Sequence, residues 1–125
     1  MARLTLLDTT VVIDILRAFP DAIVFADRLD RTALCSEITR VEVERGLRGH
    51  ERRRAQDLLD TFNWIPLDAP IARRAGELGR RYRRSHVGIG LGDLVVAATA
   101  EELGAALATS NVKHFPMFRG LRPPY

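Results

Sequence analysis

Apolar residues fall into two kinds of run along the chain. "RLTLL" (3–7), "TALCS" (32–36), "NWIPL" (63–67) and "AALAT" (105–109) are short and read as strands. Pro66 weakens the third, because proline cannot donate to a sheet ladder. Between them the apolar spacing changes to three or four residues, which predicts helices. One begins at Thr9 or Thr10 and runs to about Arg17; a second opens at Pro20 and Asp21 with Ile23, Ala26 and Leu29 in helical register. A third starts at Thr39 and ends at Gly46 or Gly49, and "ERRRAQDLLDTF" (51–62) follows with Ala55, Leu58, Leu59 and Phe62 on one face. Pro70 opens a long helix through Ile71, Ala75, Leu78 and Tyr82. Asp93 heads the last helix, "LVVAATAEEL", which Gly104 ends, and the tail "MFRGLRPPY" predicts a short final strand around Leu121.

Strands alternating with helices predict an α/β fold with a parallel sheet. At 125 residues the chain reads as one domain, 1–125, long enough to bury a core without staples. Its apolar share is 46% and its charged share 28%, both ordinary for a globular protein. Cys35 is the only cysteine, so no internal disulfide forms, as suits a reducing compartment. No apolar run approaches the roughly 20 residues of a membrane span. The amino terminus meets an acid at Asp8 and lacks a signal-peptide core. A soluble cytoplasmic protein that makes no use of a membrane is expected.

Charge sharpens this. The net charge is only +3, but of 19 basic residues all except Lys113 are arginine. Arginine forks onto phosphate, which suits a nucleic-acid partner; arginine-rich coding and solvated helix faces give the same count. The run "GRRYRRSH", with Arg80, Arg81, Arg83 and Arg84, interleaves a tyrosine and is the best candidate for contacting RNA. Arg52, Arg53 and Arg54 make a second patch.

The acids carry the chemistry. Asp8 follows the first strand, Asp93 stands at a predicted helix start, and Thr109, Ser110 and Asn111 follow the fourth strand. Ligands of open parallel sheets bind beyond the carboxyl ends of the strands. Glu42, between Val41 and Val43, could face the same edge. Each acid has a purely structural alternative: a helix cap for Asp8 and Asp93, a surface ion pair for Glu42. Three carboxylates that converge repel one another unless a cation sits between them, and oxygen ligands favour magnesium or manganese.

The blocks "LLDTTVVIDIL", "ITRVEVERG", "GDLVVAATA" and "LATSNVKHF" occur in this order over nearly the whole chain. Together they resemble the PIN-domain ribonucleases, specifically the VapC-type toxins of toxin–antitoxin pairs. The resemblance implies a three-layer α/β/α sandwich with a central parallel sheet of four to five short strands. It implies that Asp8, Glu42 and Asp93 bind Mg2+ or Mn2+ and direct water at an RNA phosphodiester. It implies supporting polar positions at Thr9, Thr109 and Ser110. Asn111 stands where the family often has a further acid, which leaves open a second metal and a weakened enzyme that only binds RNA or a partner. A small cognate antitoxin and a homodimer are also implied.

Other constellations point to less. "GIGLG" (88–92) lacks a phosphate-loop register and lies between helices, so flexible approach to Asp93 or close packing is expected there. An aspartyl phosphatase would want an acid two residues after Asp8, where Thr10 stands. His50, His86 and His114 show no metal-ligand spacing; surface or capping roles are expected, though His114 could reach RNA. Asp14 reads as a surface or pairing residue, and Phe62, Trp64 and Cys35 as core.

Overall fold

The computed structural model describes residues 3–125. Four strands, β1 (Thr5–Leu7), β2 (Leu34–Ser36), β3 (Asn63–Ile65) and β4 (Ala106–Ala108), form one parallel sheet in the order β3-β2-β1-β4. Leu6 pairs with Leu34 on one side and Leu107 on the other. The chain steps from β1 outward through β2 and β3, then crosses to the opposite side for β4. The reversal falls between β1 and β4, and such a switch point opens a crevice at the strands' carboxyl ends.

Helices cover both faces. Successive strand residues point to opposite faces, so a doubly covered strand must be apolar throughout. Leu6, Leu34 and Leu107 face α5 (Ala69–Tyr82) and α6 (Leu91–Leu103), in a core with Ile71, Leu78, Val96 and Phe115. Leu7, Cys35 and Ala108 face the other way, onto α1 (Thr9–Leu16), α2 (Pro20–Asp27) and α4 (Arg52–Leu59). The helix α3 (Glu37–Gly46) bridges the layers, with Val43 in the second core and Ile38 against the first. This is the three-layer sandwich expected, with four strands. Burial pushes the Cys35 thiol up to about 12, which makes it a packing residue without thiolate reactivity. Trp64 packs edge-on to Phe62, and its indole N–H donates to the Leu59 carbonyl at 2.8 Å.

Several boundaries differ from the expected ones. Helix α3 starts at Glu37 because Ser36 accepts the Ile38 N–H at 3.2 Å. Residues 51–62 form a shorter helix, with a 3-10 turn at Gly49–Glu51 before it. Strand β3 stops before Pro66. Leu121 lies in no strand; the tail turns through Gly120 (φ +72°) and runs to Tyr125, whose hydroxyl donates to Asp14 at 2.5 Å. That bond makes Asp14 a pairing residue. No described helix is long and apolar enough to cross a membrane.

Gly104 ends α6 in the left-handed region, at φ +61°, and no atom lies where its Cβ would stand. Its substitution therefore tests backbone strain alone. Gly104→Ala is expected to cost about 1 kcal/mol in urea-monitored unfolding.

Candidate active site

Asp8 follows β1 at the N-cap position of α1, yet its side chain does not cap that helix. It is 3% exposed. Its Oδ2 instead accepts two hydroxyls, from Thr109 at 2.7 Å and Thr10 at 3.0 Å. Each hydroxyl also accepts a backbone N–H: Asn111 donates to Thr109 at 3.0 Å, and Ser110 to Thr10 at 3.2 Å. The end of β1 and the loop after β4 are thus tied through one carboxylate oxygen, across the switch point. An acid two residues after Asp8, the phosphatase pattern, is replaced by a hydroxyl that holds Asp8 in place.

Glu42 projects from α3 toward the same edge. Its Oε1 accepts the Thr9 hydroxyl at 2.7 Å. The Thr9 and Thr39 hydroxyls are 3.0 Å apart. A hydroxyl has one proton, so with the Thr9 proton on the carboxylate, Thr39 supplies the one between the two oxygens. On its other side Glu42 meets the backbone of α6. A Cβ at Gly92 would stand 3.1–3.3 Å from three atoms of the Glu42 carboxyl group. The glycines before Asp93 therefore divide by role: Gly92 is close packing around Glu42, whereas nothing lies within 4 Å of a Cβ at Gly88.

Asp93 does not precede its helix as expected. It occupies the third position of α6, because a carboxylate there can reach back to an N–H the helix leaves unpaired. Its Oδ2 accepts the Gly90 N–H at 3.1 Å and lies 3.1 Å from His114 Nδ1. His114 comes from the 3-10 turn Val112–His114 that follows the β4 loop.

The three acids share a pattern. Each has one oxygen held by hydrogen bonds, and the other, Oδ1 of Asp8, Oε2 of Glu42 and Oδ1 of Asp93, has no partner among the described residues. None of these free oxygens is a buried unsatisfied atom, so all three keep access to solvent. The donor set is oxygen throughout, which fits a hard divalent cation. Among the described residues no three His, Cys, Asp or Glu side chains stand close enough together to hold a metal in this conformation. Glu42 packs against the neighbours of the other two acids, Thr9 beside Asp8 and Gly92 beside Asp93.

Thr10, Thr39 and Gly92 were not singled out as site residues by the sequence, and His114 only for its reach to RNA, not as a partner of Asp93. Thr39 carried no signal beyond lying within three residues of an acid, whereas Gly92 belongs to the glycine run where close packing is expected. His114, three residues after Asn111, could have been found by asking what the β4 loop faces. Arg80, Arg81, Arg83 and Arg84 are all exposed at the end of α5. Arg80 and Arg83 line a groove of about 470 Å³ with Leu67, Leu91 and Leu94.

The PIN domain family model matches residues 5–117. Ribonuclease VapC10 of Mycobacterium tuberculosis is 47% identical over 123 residues, covering 96% of this chain and 92% of that protein. Ribonuclease VapC19 of the same species is 42% identical, covering 96% and 98%. Among solved structures, a toxin–antitoxin complex from Klebsiella pneumoniae superposes with a TM-score of 0.83 at 30% identity, covering 97% of this chain and 98% of that one.

The Thr9 hydroxyl serves Glu42 and Thr39 together. Thr9→Val, nearly isosteric, removes both contacts and is expected to lower unfolding stability by about 1–2 kcal/mol, with Thr9→Ser recovering most of it.

Proposed function

The chain belongs to the PIN-domain family, and from that premise we propose that it is a metal-dependent endoribonuclease, the toxin of a toxin–antitoxin pair. The observation that carries this reading is that Glu42 packs against Thr9 and Gly92, the neighbours of Asp8 and Asp93, while each of the three acids is held by one oxygen and open at the other. The nuclease domain spans 1–125 and acts in the cytoplasm.

Asp8, Glu42 and Asp93 are the residues that would hold Mg2+ or Mn2+. Bound there, the cation supplies Lewis acidity toward a phosphoryl oxygen and makes water a better nucleophile at neutral pH. The chain's own contribution is preorganisation. Thr10 and Thr109 lock the rotation of Asp8, which leaves Oδ1 as its working oxygen. Thr9 and the bare α-carbon of Gly92 hold Glu42 between α1 and α6. Gly90 and His114 hold Asp93. Ser110 and Asn111 act through their backbone N–H groups, which keep the two threonine hydroxyls aimed at Asp8. Ligands restrained in this way lose little entropy on binding, the usual role of groups behind a metal site. Arg80, Arg81, Arg83 and Arg84 contact phosphates of the RNA.

The partner is a small cognate antitoxin, supported by the Klebsiella complex. A homodimer is also part of this reading. Leu91, 74% exposed, and Leu67, 49% exposed, are the apolar side chains a second copy would cover, with Arg80 and Arg83 left at the rim of that contact and open to RNA.

Asp93→Asn is expected to abolish Mg2+-dependent cleavage of total RNA with the fold intact by circular dichroism; full activity in that variant would sink the assignment. In the same assay Gly92→Ala is expected to lose about tenfold, since the Glu42 carboxyl group must give by a few tenths of an ångström and about 1 Å of misplacement can cost about a hundredfold, while Gly88→Ala behaves as wild type. RNA binding by the wild-type protein without any metal-dependent cleavage would favour a weakened, binding-only domain, with Asn111 as its mark. Leu91→Glu is expected to shift the protein from dimer to monomer in sedimentation velocity.

A further inference from the structure

The outer edge of β4, away from the acids, carries a cleft of opposite chemistry. Its volume is about 410 Å³, and Arg3, Arg119 and Arg122 line it beside Leu107 and Phe118. No acidic residue lines it. None of the three guanidinium groups forms an ion pair with a described residue. The tail makes the arrangement. Gly120, at φ +72°, turns the chain, and the Leu121 N–H returns to the Phe118 carbonyl at 3.4 Å. That turn presents Arg119 and Arg122 to the cleft from one short segment, while Arg3 enters from just before β1.

Unpaired arginines gathered around a cleft repel one another, and a polyanion removes that repulsion. We propose that this cleft binds the phosphodiester backbone of the RNA outside the cleavage site. Identifying the polyanion as RNA rests on the nuclease reading above. Two observations favour a nucleic acid over an acidic peptide. Phe118, a half-buried aromatic packed against the core, borders the cleft beside the arginines, where its open part can meet a base. Strand β4 also joins the two sites: Ala105, at its start, lines the cleft, and Thr109, past its end, holds Asp8. At the rise of a β-strand these ends are roughly 13 Å apart. A single strand leaving the acids along this edge reaches the arginines within a few nucleotides.

The experiment measures anisotropy of fluorescein-labelled oligo(U)15 in EDTA, over a series of salt concentrations, so that binding is read without cleavage. Arg119→Gln/Arg122→Gln is expected to weaken binding about tenfold. It is also expected to flatten the slope of log affinity against log salt by about 1.4, the value for two phosphate contacts to a single strand. Arg119→Lys/Arg122→Lys keeps the charge and is expected to keep most of the slope. Arg28→Gln/Arg31→Gln, two exposed arginines in the segment after α2, removes the same charge and is expected to change little. Equal losses in both Gln pairs, or no loss in the tail pair, overturn the proposal. So does a tail pair that binds RNA normally but loses the cognate antitoxin, which assigns the cleft to a protein. Cleavage of total RNA is scored separately. A protein that cannot cleave but shows the tail-arginine effect removes the nuclease reading and leaves the cleft; an active nuclease without the effect removes the cleft alone.

Discussion

Everything at this site depends on how the buried carboxylate of Asp8 is satisfied. An ionised carboxylate out of water is costly unless hydrogen-bonded or paired with a cation. Here two hydroxyls supply one oxygen, and both belong to segments that the sheet order brings together: the start of α1 and the loop after β4. Because β4 crosses to the far side of β1, Thr109 arrives next to a residue more than a hundred positions earlier in the chain. The same bonds that make Asp8 tolerable therefore pin the switch point shut on one side and leave Oδ1 facing outward on the other.

The remaining acids repeat that solution with different donors. Glu42 uses a hydroxyl chain through Thr9 to Thr39, and Asp93 uses a helix N–H and a histidine ring. In each case a polar neighbour is spent on one oxygen. Close backbone approach matters as much as hydrogen bonding, since only a missing Cβ at Gly92 lets α6 lie against the Glu42 carboxyl group. A short sheet of three-residue strands can thus still hold its carboxylates firmly. Rigidity comes from cross-links at the strand ends, not from long ladders. The arginines divide in the same way. Arg74 forks onto Glu101 at 2.9 Å and ties α5 to α6, so it serves packing, whereas the tail arginines face an open cleft.

Much of this was legible in the residues. Strands buried on both faces must read as continuous apolar runs, so β1, β2 and β4 stood out, and helical spacing through Ile71, Ala75 and Leu78 marked α5. Asp8 and Asp93 could be placed at element ends because turns and caps have local signatures. Boundaries were less legible where one side chain decides them, as Ser36 does for α3 and Pro66 for β3. The tail resisted reading because "RGLRPP" has no ladder partner to prefer: it is shaped by a left-handed glycine and by Tyr125 reaching Asp14.

The sequence by itself determined the α/β class, the order of the elements, and which acids lie at strand and helix ends, because apolar period and turn chemistry act over a few residues. Only the tertiary structure decided which oxygen of each acid is held and which is open, that Gly92 is contact space for Glu42, that His114 serves Asp93, and that Arg3, Arg119 and Arg122 share one cleft. Those facts join positions up to 119 residues apart, and no local pattern encodes a distance that exists only once the sheet has formed.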